Sequence, residues 1–279
     1  MKPALAALMV VFCPALASAG ILDSALRFWS LDQTLTESRA GTGASAVSGP
    51  LSFTADRDGN AAGALDLGGS TDAVLVDNSH PIALVDFSIS LWFRMHEHNP
   101  NGGRSTLFDT RLAGASYPFS AGNTSVIGFV DNGITESSGP NPDDGWFGSF
   151  TGQDLLLDDV NDGNWHNVVL TVDASSSTQS LFFNGSLIDA RGANAGPNPS
   201  IFGLDMTFGD SGRFLSSPGF NFRGALDDVA IWGAALDTRE VQEVYLAAAS
   251  ATPSMLPAPG SLPLLSVALL LLTRHRQRH

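Results

Sequence analysis

The sequence predicts an all-β fold, a sandwich of two antiparallel sheets with one short helix near the carboxyl end. Residues 87–95 (FSISLWFRM) place an apolar side chain at every second position, the pattern of a strand with a buried face. Asn184 and Gly185 tolerate positive φ and separate two apolar runs, which predicts a tight hairpin. Many other short runs, divided by Gly, Asn, Asp and Ser, predict a single β domain over residues 20–249.

One helix is expected after residue 236. Asp237 and Glu240 form a capping-box pair, in which the Asp237 side chain accepts from first-turn amides and Glu240 reaches back. Val241, Val244 and Tyr245 then share one helical face over about three turns. We expect this helix to lie against the edge of the sandwich, in a structural role.

Residues 1–19 have the features of a secretory signal peptide. Lys2 provides a positive start, an apolar run follows, and residues 17–19 (ASA) form a small-x-small site for signal peptidase. The only cysteine, Cys13, lies inside this segment. The mature chain is therefore expected to lack disulfides, thiol nucleophiles and zinc-thiolate sites.

A second signal is expected at residues 256–279, after a linker at 250–255. It combines an LPAP start, an apolar stretch and a terminal cluster of arginine and histidine. The apolar stretch is shorter than the ~20 residues of a stable spanning helix, although an ordinary transmembrane anchor is one interpretation. The segment also resembles PEP-CTERM sorting signals of the VPLPA-like branch. That resemblance implies transient membrane association, removal by an exosortase and delivery to the cell surface or matrix of a Gram-negative bacterium.

The charge of the body excludes several classes of function. Residues 20–255 hold ten arginines, no lysine and all 28 acidic residues, so their formal net charge is −18. Such a surface repels nucleic acid and anionic lipid and favours divalent cations and neutral ligands. Without lysine, the body also lacks a Walker-type phosphate loop and Schiff-base chemistry.

Several segments of the body together resemble the LamG-like jelly rolls of the concanavalin A-like lectin/glucanase superfamily. Residues 162–173 (DGNWHNVVLTVD) are similar to a D-G-x-W-H-x-V strand of that family, and residues 181–187 (LFFNGSL) to the hairpin after it. Residues 222–232 (FRGALDDVAIW) are similar to its closing strand. The resemblance implies a jelly roll of two antiparallel sheets. Matching upstream segments occur in the expected order at 28–32, 64–68 and 87–92.

A structural calcium ion is one expectation for this acidic body. Leu226 and Val229 share the buried face, but their odd separation requires a bulge at Asp227 and Asp228. A carboxylate turned inward there needs a cation, an arginine or several backbone amides. Calcium suits an oxygen-rich exported protein, and the resemblance implies one structural calcium. The candidate metal ligands are Asp32, Glu37, Asp227 and Asp228.

A long segment rich in Gly, Asp and Pro, residues 131–164, is the candidate ligand-binding region. Its aromatic residues Trp146, Phe147 and Phe150 can stack on sugar faces, and Asp143 and Asp144 offer carboxylates beside them. The alternative is that the rings close the end of the sandwich as a hydrophobic lid. The sequence leaves these two interpretations equal.

Catalytic motifs are weak in this chain. Trp165 and His166 invite a catalytic-histidine interpretation, but no partner is positioned by motif, and the resemblance implies packing. His96, Glu97 and His98 are better explained as a solvated loop than as metal ligands. The paired glutamates of related glucanases have no counterpart among the five glutamates, at positions 37, 97, 136, 240 and 243.

These observations favour an exported module that binds extracellular polysaccharide or glycoprotein without catalysis. A secreted glycoside hydrolase or polysaccharide lyase is the first alternative, with Asp143, Asp144 and Asp158 as the carboxylates to test. A structural component of the exopolysaccharide matrix is the second. Nucleic acid is not an expected partner.

Overall fold

The computed structural model describes twelve stretches of the chain, all within the first of two units, Met1–Ala249. The expected signal peptide, and the second unit, Ser250–His279, lie outside the described residues. The described stretches are 20–39, 43–46, 51–68, 72–76, 82–97, 104–110, 124–130, 133–139, 160–192, 200–202, 206–210 and 221–248.

These stretches contain short strands, a 3-10 turn and an α-helix. The 3-10 turn is Ile21–Ser24 and the helix α1 is Thr238–Ala248. In the first half of the chain the strands are β1 Arg27–Trp29, β2 Ala44–Ala46, β3 Ser52–Thr54, β4 Ala64–Leu67, β5 Val74–Val76, β6 Ile82–Leu84, β7 Phe87–Met95, β8 Arg104–Asp109, β9 Thr124–Val130 and β10 Gly133–Gly139. In the second half they are β11 His166–Asp173, β12 Thr178–Phe183, β13 Ser186–Gly192, β14 Ser200–Phe202, β15 Thr207–Phe208 and β16 Gly224–Trp232.

The strands form two antiparallel sheets and a small ribbon. The larger sheet has the order β13-β12-β11-β7-β16-β4-β3, and β1 also pairs with β16. The smaller sheet has the order β10-β9-β8-β15-β5-β2, while β6 and β14 pair with each other. The predicted all-β jelly roll of two antiparallel sheets with one short helix is therefore confirmed. The β6–β14 ribbon is an addition that the sequence did not predict.

The main hydrophobic core lies on one face of the larger sheet. Alternate residues of β7, from Phe87 to Met95, all belong to this core. Trp29 from β1 meets Phe208 from β15 edge to face, with ring centroids 5.4 Å apart. The alternation that predicted β7 thus identified its core-facing side correctly.

Helix α1 begins with the predicted capping box. The Asp237 side chain accepts from the Glu240 amide at 2.8 Å, and Glu240 accepts from the Asp237 amide at 2.8 Å. Val241 and Val244 are buried against Val169 of β11 and other apolar residues on the outer face of the larger sheet. The expected position at the sandwich edge is therefore corrected, because the apolar face of the helix covers apolar residues of the sheet that would otherwise be exposed.

The first described residues pack beside this helix. The Trp232 indole Nε1–H donates to the Ile21 carbonyl at 3.1 Å, and Arg39 donates to the Leu22 carbonyl at 2.8 Å. The 3-10 turn also contacts α1. Within the described stretches, no helix has both the length and the apolarity that crossing a membrane requires.

Candidate functional site

The outer face of the larger sheet carries polar and aromatic side chains that the main core does not use. On β7, alternation turns Ser88, Ser90, Trp92 and Arg94 away from the inter-sheet core. Ser88 anchors the approach to α1, since its Oγ donates to the Ala234 carbonyl at 2.9 Å. Trp92 and Arg94 lie further along the strand and belong to two polar clusters.

The first cluster is built on a loop, residues 56–60, that presents Arg57. Asp56 Oδ1 accepts from the amides of Asp58 and Asn60 at 2.9 and 2.8 Å, the bonding of an Asx-stabilised turn. Asp56 Oδ2 lies so close to Gly63 that a Cβ there would be 2.5 Å away. These contacts fix the loop and therefore the direction of Arg57.

Arg57 binds two adjacent carboxylates. Its Nη1 donates to Asp227 Oδ2 at 3.1 Å, and its Nη2 donates to Asp228 Oδ2 at 2.6 Å. The side chains of the three residues are buried, with 8, 5 and 15% of their surface exposed. The guanidinium carbon also lies 4.7 Å from the ring centroid of Trp92, which stacks on Tyr245 of α1 at 5.4 Å. We call Arg57, Trp92, Asp227, Asp228 and Tyr245 the Arg57 cluster.

The two carboxylates occupy the predicted bulge. The register between β16 and β7 shifts between Asp227 and Ala230, and Asp228 has a φ of 45°. The bulge turns both carboxylates toward Arg57, so the sequence prediction of a bulge at this step is confirmed. Of the partners considered for a buried carboxylate, arginine is the one these contacts show.

Burial perturbs the protonation of this pair. Burial, followed by the charge of Asp228, raises the pKa of Asp227 to about 9, although Arg57 acts in the opposite direction. Burial also raises the pKa of Asp228, against the charge and hydrogen bond of Arg57. The charges of Asp32 and Asp56 add to both upward shifts. One guanidinium cannot balance two ionised carboxylates, and the raised pKa values favour a bound proton on the pair.

The four predicted calcium ligands do not form one donor set. Glu37 is buried, and its Oε1 accepts from the backbone amides of Phe28 and Arg39 at 2.8 and 2.6 Å. Asp32 is exposed. In the part of the chain that the structure describes, no three His, Cys, Asp or Glu side chains are grouped as a metal site would require.

The contacts of Asp227 and Asp228 also do not fit a calcium ion. The Arg57 guanidinium already lies against both carboxylates, and a second cation in that position would be repelled by it. Calcium binding through Asp32, Glu37, Asp227 and Asp228 stays a prediction, which metal titration tests.

The second cluster crosses the same face one step further along the strands. Register places Asp66 of β4, Ala225 of β16 and Arg94 of β7 side by side. The Arg94 guanidinium lies 5.1 Å from the ring centroid of Trp165, which is half-buried. Arg94 also donates to the Thr54 hydroxyl at 3.4 Å.

The Asp66 end of this cluster has two further polar neighbours. The Ser52 hydroxyl donates to Asp66 Oδ2 at 3.3 Å, and His96 Nδ1 lies 3.9 Å from Asp66 Oδ1. We call Ser52, Asp66, Arg94, His96 and Trp165 the Trp165 row. It contains an aromatic ring, a cation, a carboxylate and a hydroxyl on one sheet face.

Two atoms of the Trp165 row are buried without a hydrogen-bond partner among the described residues. They are Trp165 Nε1, which can only donate, and Asp66 Oδ1, which accepts when ionised. Most buried polar groups in proteins are paired, so an orphaned donor and an orphaned acceptor need an explanation. A water molecule or a hydroxyl group, each of which can both donate and accept, would satisfy either atom.

His166 forms a structural unit with its neighbours. Its Nε2 lies 3.0 Å from Asp162 Oδ1, and the Asn184 side-chain amide lies 3.1 Å from Nδ1. Because Asn184 Nδ2 can only donate, Nδ1 accepts and Nε2–H donates to Asp162. Hydrogen bonds from Asn164, then from His166, lower the pKa of Asp162 to about 2. Both ring nitrogens are occupied, which supports the packing role expected for His166.

Other sequence candidates lie apart or outside the described residues. His96 approaches Asp66, whereas Glu97 forms an ion pair with Arg223, so these two side chains serve separate contacts. His98 and the candidate residues of the predicted ligand segment lie outside the described residues, and so the predictions for these residues remain untested. That segment includes Asp143, Asp144, Trp146, Phe147, Phe150 and Asp158.

Sequence reasoning missed the partners of the carboxylates and the Trp165 row. Arg57 lies in an oxygen-rich loop, residues 56–60, whose composition suggests a cation site and does not identify the partner of its arginine. The available signal was the strand alternation itself, which places Trp92 and Arg94 on the side of β7 opposite the core.

Comparisons with known proteins agree with this architecture. The family model of the concanavalin A-like lectin/glucanases superfamily matches residues 67–242. No curated protein matches the chain in sequence. Similar solved structures include a botulinum neurotoxin serotype D binding domain, at 14% identity and a TM-score of 0.55 over 81% of this chain and 51% of that one.

Two other similar structures concern N-acetylneuraminic acid or gangliosides. One is the serotype D ligand binding domain in complex with N-acetylneuraminic acid, at 13% identity and a TM-score of 0.54, covering 81% of this chain and 52% of that one. The other is a structure of botulinum neurotoxin type C, whose cell entry depends on interaction with two ganglioside molecules. Its identity is 18% and its TM-score 0.55, over 82% of this chain and 52% of that one. This chain thus spans about half the length of these structures, and at these identities the likeness shows the fold.

Proposed function

Because the chain belongs to the concanavalin A-like lectin/glucanases superfamily, we propose that it binds glycans without catalysing a reaction on them. The Trp165 row is the observation that carries this proposal. It presents a half-buried indole, a guanidinium and a carboxylate together, and small-molecule sites combine an aromatic surface with a few such polar groups. The sialic acid and ganglioside ligands of two structural neighbours support the class of ligand.

Export is part of the same proposal. The features of residues 1–19 and 256–279 and the lysine-free acidic body support a protein that works at the cell surface or in the extracellular matrix. Signal peptidase and an exosortase would process the two ends. Mass spectrometry of the mature surface protein tests this directly, since it locates both termini. Finding the intact chain in the cytosol would contradict export.

Glycan binding is tested with an array of neutral and charged oligosaccharides, followed by calorimetry on each hit. We expect Trp165→Ala to weaken binding by about fivefold, since an aromatic contact contributes on the order of 1 kcal/mol and 1.4 kcal/mol is a factor of ten. Trp92→Phe is the matched control, because Trp92 also lies beneath an arginine on this face but is only 6% exposed under α1. That control should lower the melting temperature and leave affinity unchanged.

The same measurements separate the competing interpretations. Trp146→Ala tests the segment predicted from sequence, and loss of binding there with full binding in Trp165→Ala would move the site away from the Trp165 row. Turnover of labelled polysaccharides that disappears on substitution of Asp143, Asp144 or Asp158 would support an enzyme. A folded protein that binds no glycan on the array would support a structural matrix role.

A further inference from the structure

Two carboxylates of the Arg57 cluster hold one cationic group between them. Asp227 and Asp228 each direct one carboxylate oxygen at the Arg57 guanidinium, and the two oxygens meet different nitrogens of that group. Oxygen-rich acidic groups of this kind are the ligands that calcium prefers.

The backbone beside this cation has an uncommon conformation. Asp228 has a positive φ at the bulge, a conformation that non-glycine residues adopt at a cost unless the surroundings hold it. Two buried carboxylates side by side repel each other, and a positive charge between them offsets that repulsion. Arg57 also spans the cluster, since its guanidinium covers Trp92, which in turn stacks on Tyr245 of the helix.

The loop that carries Arg57 has a conformation fixed by hydrogen bonds. Asp56 holds the turn through three hydrogen bonds to Asp58 and Asn60, and Gly63 leaves room for that carboxylate. The guanidinium fork then matches two separate oxygens, which a single lysine ammonium would not do with the same geometry. Arg57 is therefore preorganised for Asp227 and Asp228.

We infer that Arg57 is a built-in cation for the bulge of β16, and that it takes the position that a divalent metal ion would otherwise fill between Asp227 and Asp228. The wild-type fold is then independent of calcium. Removing the guanidinium exposes an oxygen-lined site that a calcium-class ion can enter.

Thermal melting with calcium chloride or with a chelator is the first test. The wild-type melting temperature should be the same in both. Arg57→Ala should melt roughly 10 °C lower in chelator, because it leaves buried carboxylates without their partner, and millimolar calcium should recover much of that loss. Arg239→Ala is the matched control, since Arg239 pairs with Glu243 on the exposed side of α1 and should respond to neither condition.

Terbium luminescence gives a second readout that does not require a large change in stability. Excitation of tryptophan should sensitise terbium emission in Arg57→Ala, because Trp92 lies against the vacated position, and should not do so in wild type. If Arg57→Ala fails to fold, the same melting and terbium measurements on Arg57→Lys and on wild type still decide the question. Stabilisation of wild type by calcium, destabilisation by chelator, or an Arg57→Ala variant that gains no metal binding would overturn the inference.

Discussion

Two tryptophans on the same sheet face have the same kind of cationic partner but different exposures. Trp92 is covered by Arg57 and by Tyr245 of α1, whereas Trp165 is covered by Arg94 and remains half-buried. Cation–π contacts of this kind contribute about 0.5 to 2 kcal/mol, depending on how far they are desolvated. At the residue scale, the first tryptophan therefore stabilises the fold, whereas the second keeps part of its ring exposed, as the proposed glycan site requires.

Asp227→Asn should make the stability of the protein less dependent on pH. The raised pKa of Asp227, about 9, means that the folded state keeps a proton that the unfolded chain releases near the ordinary value of 3.8. The resulting stability is fully present below 3.8 and is lost as pH rises toward 9. We expect urea unfolding of wild type to show a fall in the free energy of unfolding between about pH 5 and about pH 9, and the variant to show a smaller one.

Asp162→Asn is the control for that experiment. The pKa of Asp162 is lowered to about 2, so its contribution is present above 3.8 and is lost only as pH falls through about 2. The variant should therefore keep the wild-type slope across the neutral and alkaline range. Equal slopes in wild type and Asp227→Asn would contradict the assignment of a bound proton to the Arg57 cluster.

At the scale of single elements, the hairpin between β12 and β13 joins the sheet to the helix. Asn184 and Gly185 have φ values of 49° and 76°, as expected for the predicted tight turn. A Cβ added at Gly185 would lie 3.2 Å from the Tyr245 side chain. The turn therefore needs glycine for its backbone and also for its close approach to α1.

Gly185→Ala should lower the free energy of unfolding by about 1 to 2 kcal/mol, since positive φ and the Tyr245 contact both oppose the new methyl group. Gly163→Ala is a matched comparison, because Gly163 also has a φ of 76° but its Cβ would meet nothing within 4 Å. Denaturant unfolding of both variants should show the larger loss in Gly185→Ala. Equal losses would mean that the turn does not press against the helix.

The elements that could be predicted from sequence are those with a local signal. Residues 87–95 carry their alternation in consecutive positions, and the capping box needs only Asp237 and Glu240, three residues apart. The pairing of Arg57 with Asp227 joins residues 170 positions apart. No local sequence pattern indicates a contact between residues so far apart. The sequence therefore predicted a bulge and a need for a counter-charge without identifying the group that supplies it.

The position of α1 shows the same limit. Its apolar face was predicted from Val241, Val244 and Tyr245, but helical periodicity does not identify the surface against which that face packs. Val169, a residue that periodicity assigns to the outward side of β11, supplies part of that surface. The candidate site was less predictable still, because the Trp165 row is assembled by strand pairing between distant segments.

At the scale of the whole molecule, the negative charge of the body should select among glycans. Residues 20–255 carry a formal net charge of −18. This charge repels polyanionic chains at distances where the attraction of a single arginine is no longer felt. We expect affinity for neutral oligosaccharides to be insensitive to sodium chloride, and affinity for uronate-rich ones to rise as salt screens the repulsion. Calorimetry at low and high ionic strength measures this, and tighter binding of polyanions at low salt would contradict it.

The contacts of the 3-10 turn have a practical consequence for work on this protein. The Ile21 carbonyl is held by the Trp232 indole, and the Gly20 amide donates to Asp23 at 3.1 Å. The opening residues of the domain are thus anchored to strand β16, which is formed by residues close to its opposite end. A shortened version that begins after Ile21 would lose this anchor, so recombinant versions should keep Gly20 and Ile21.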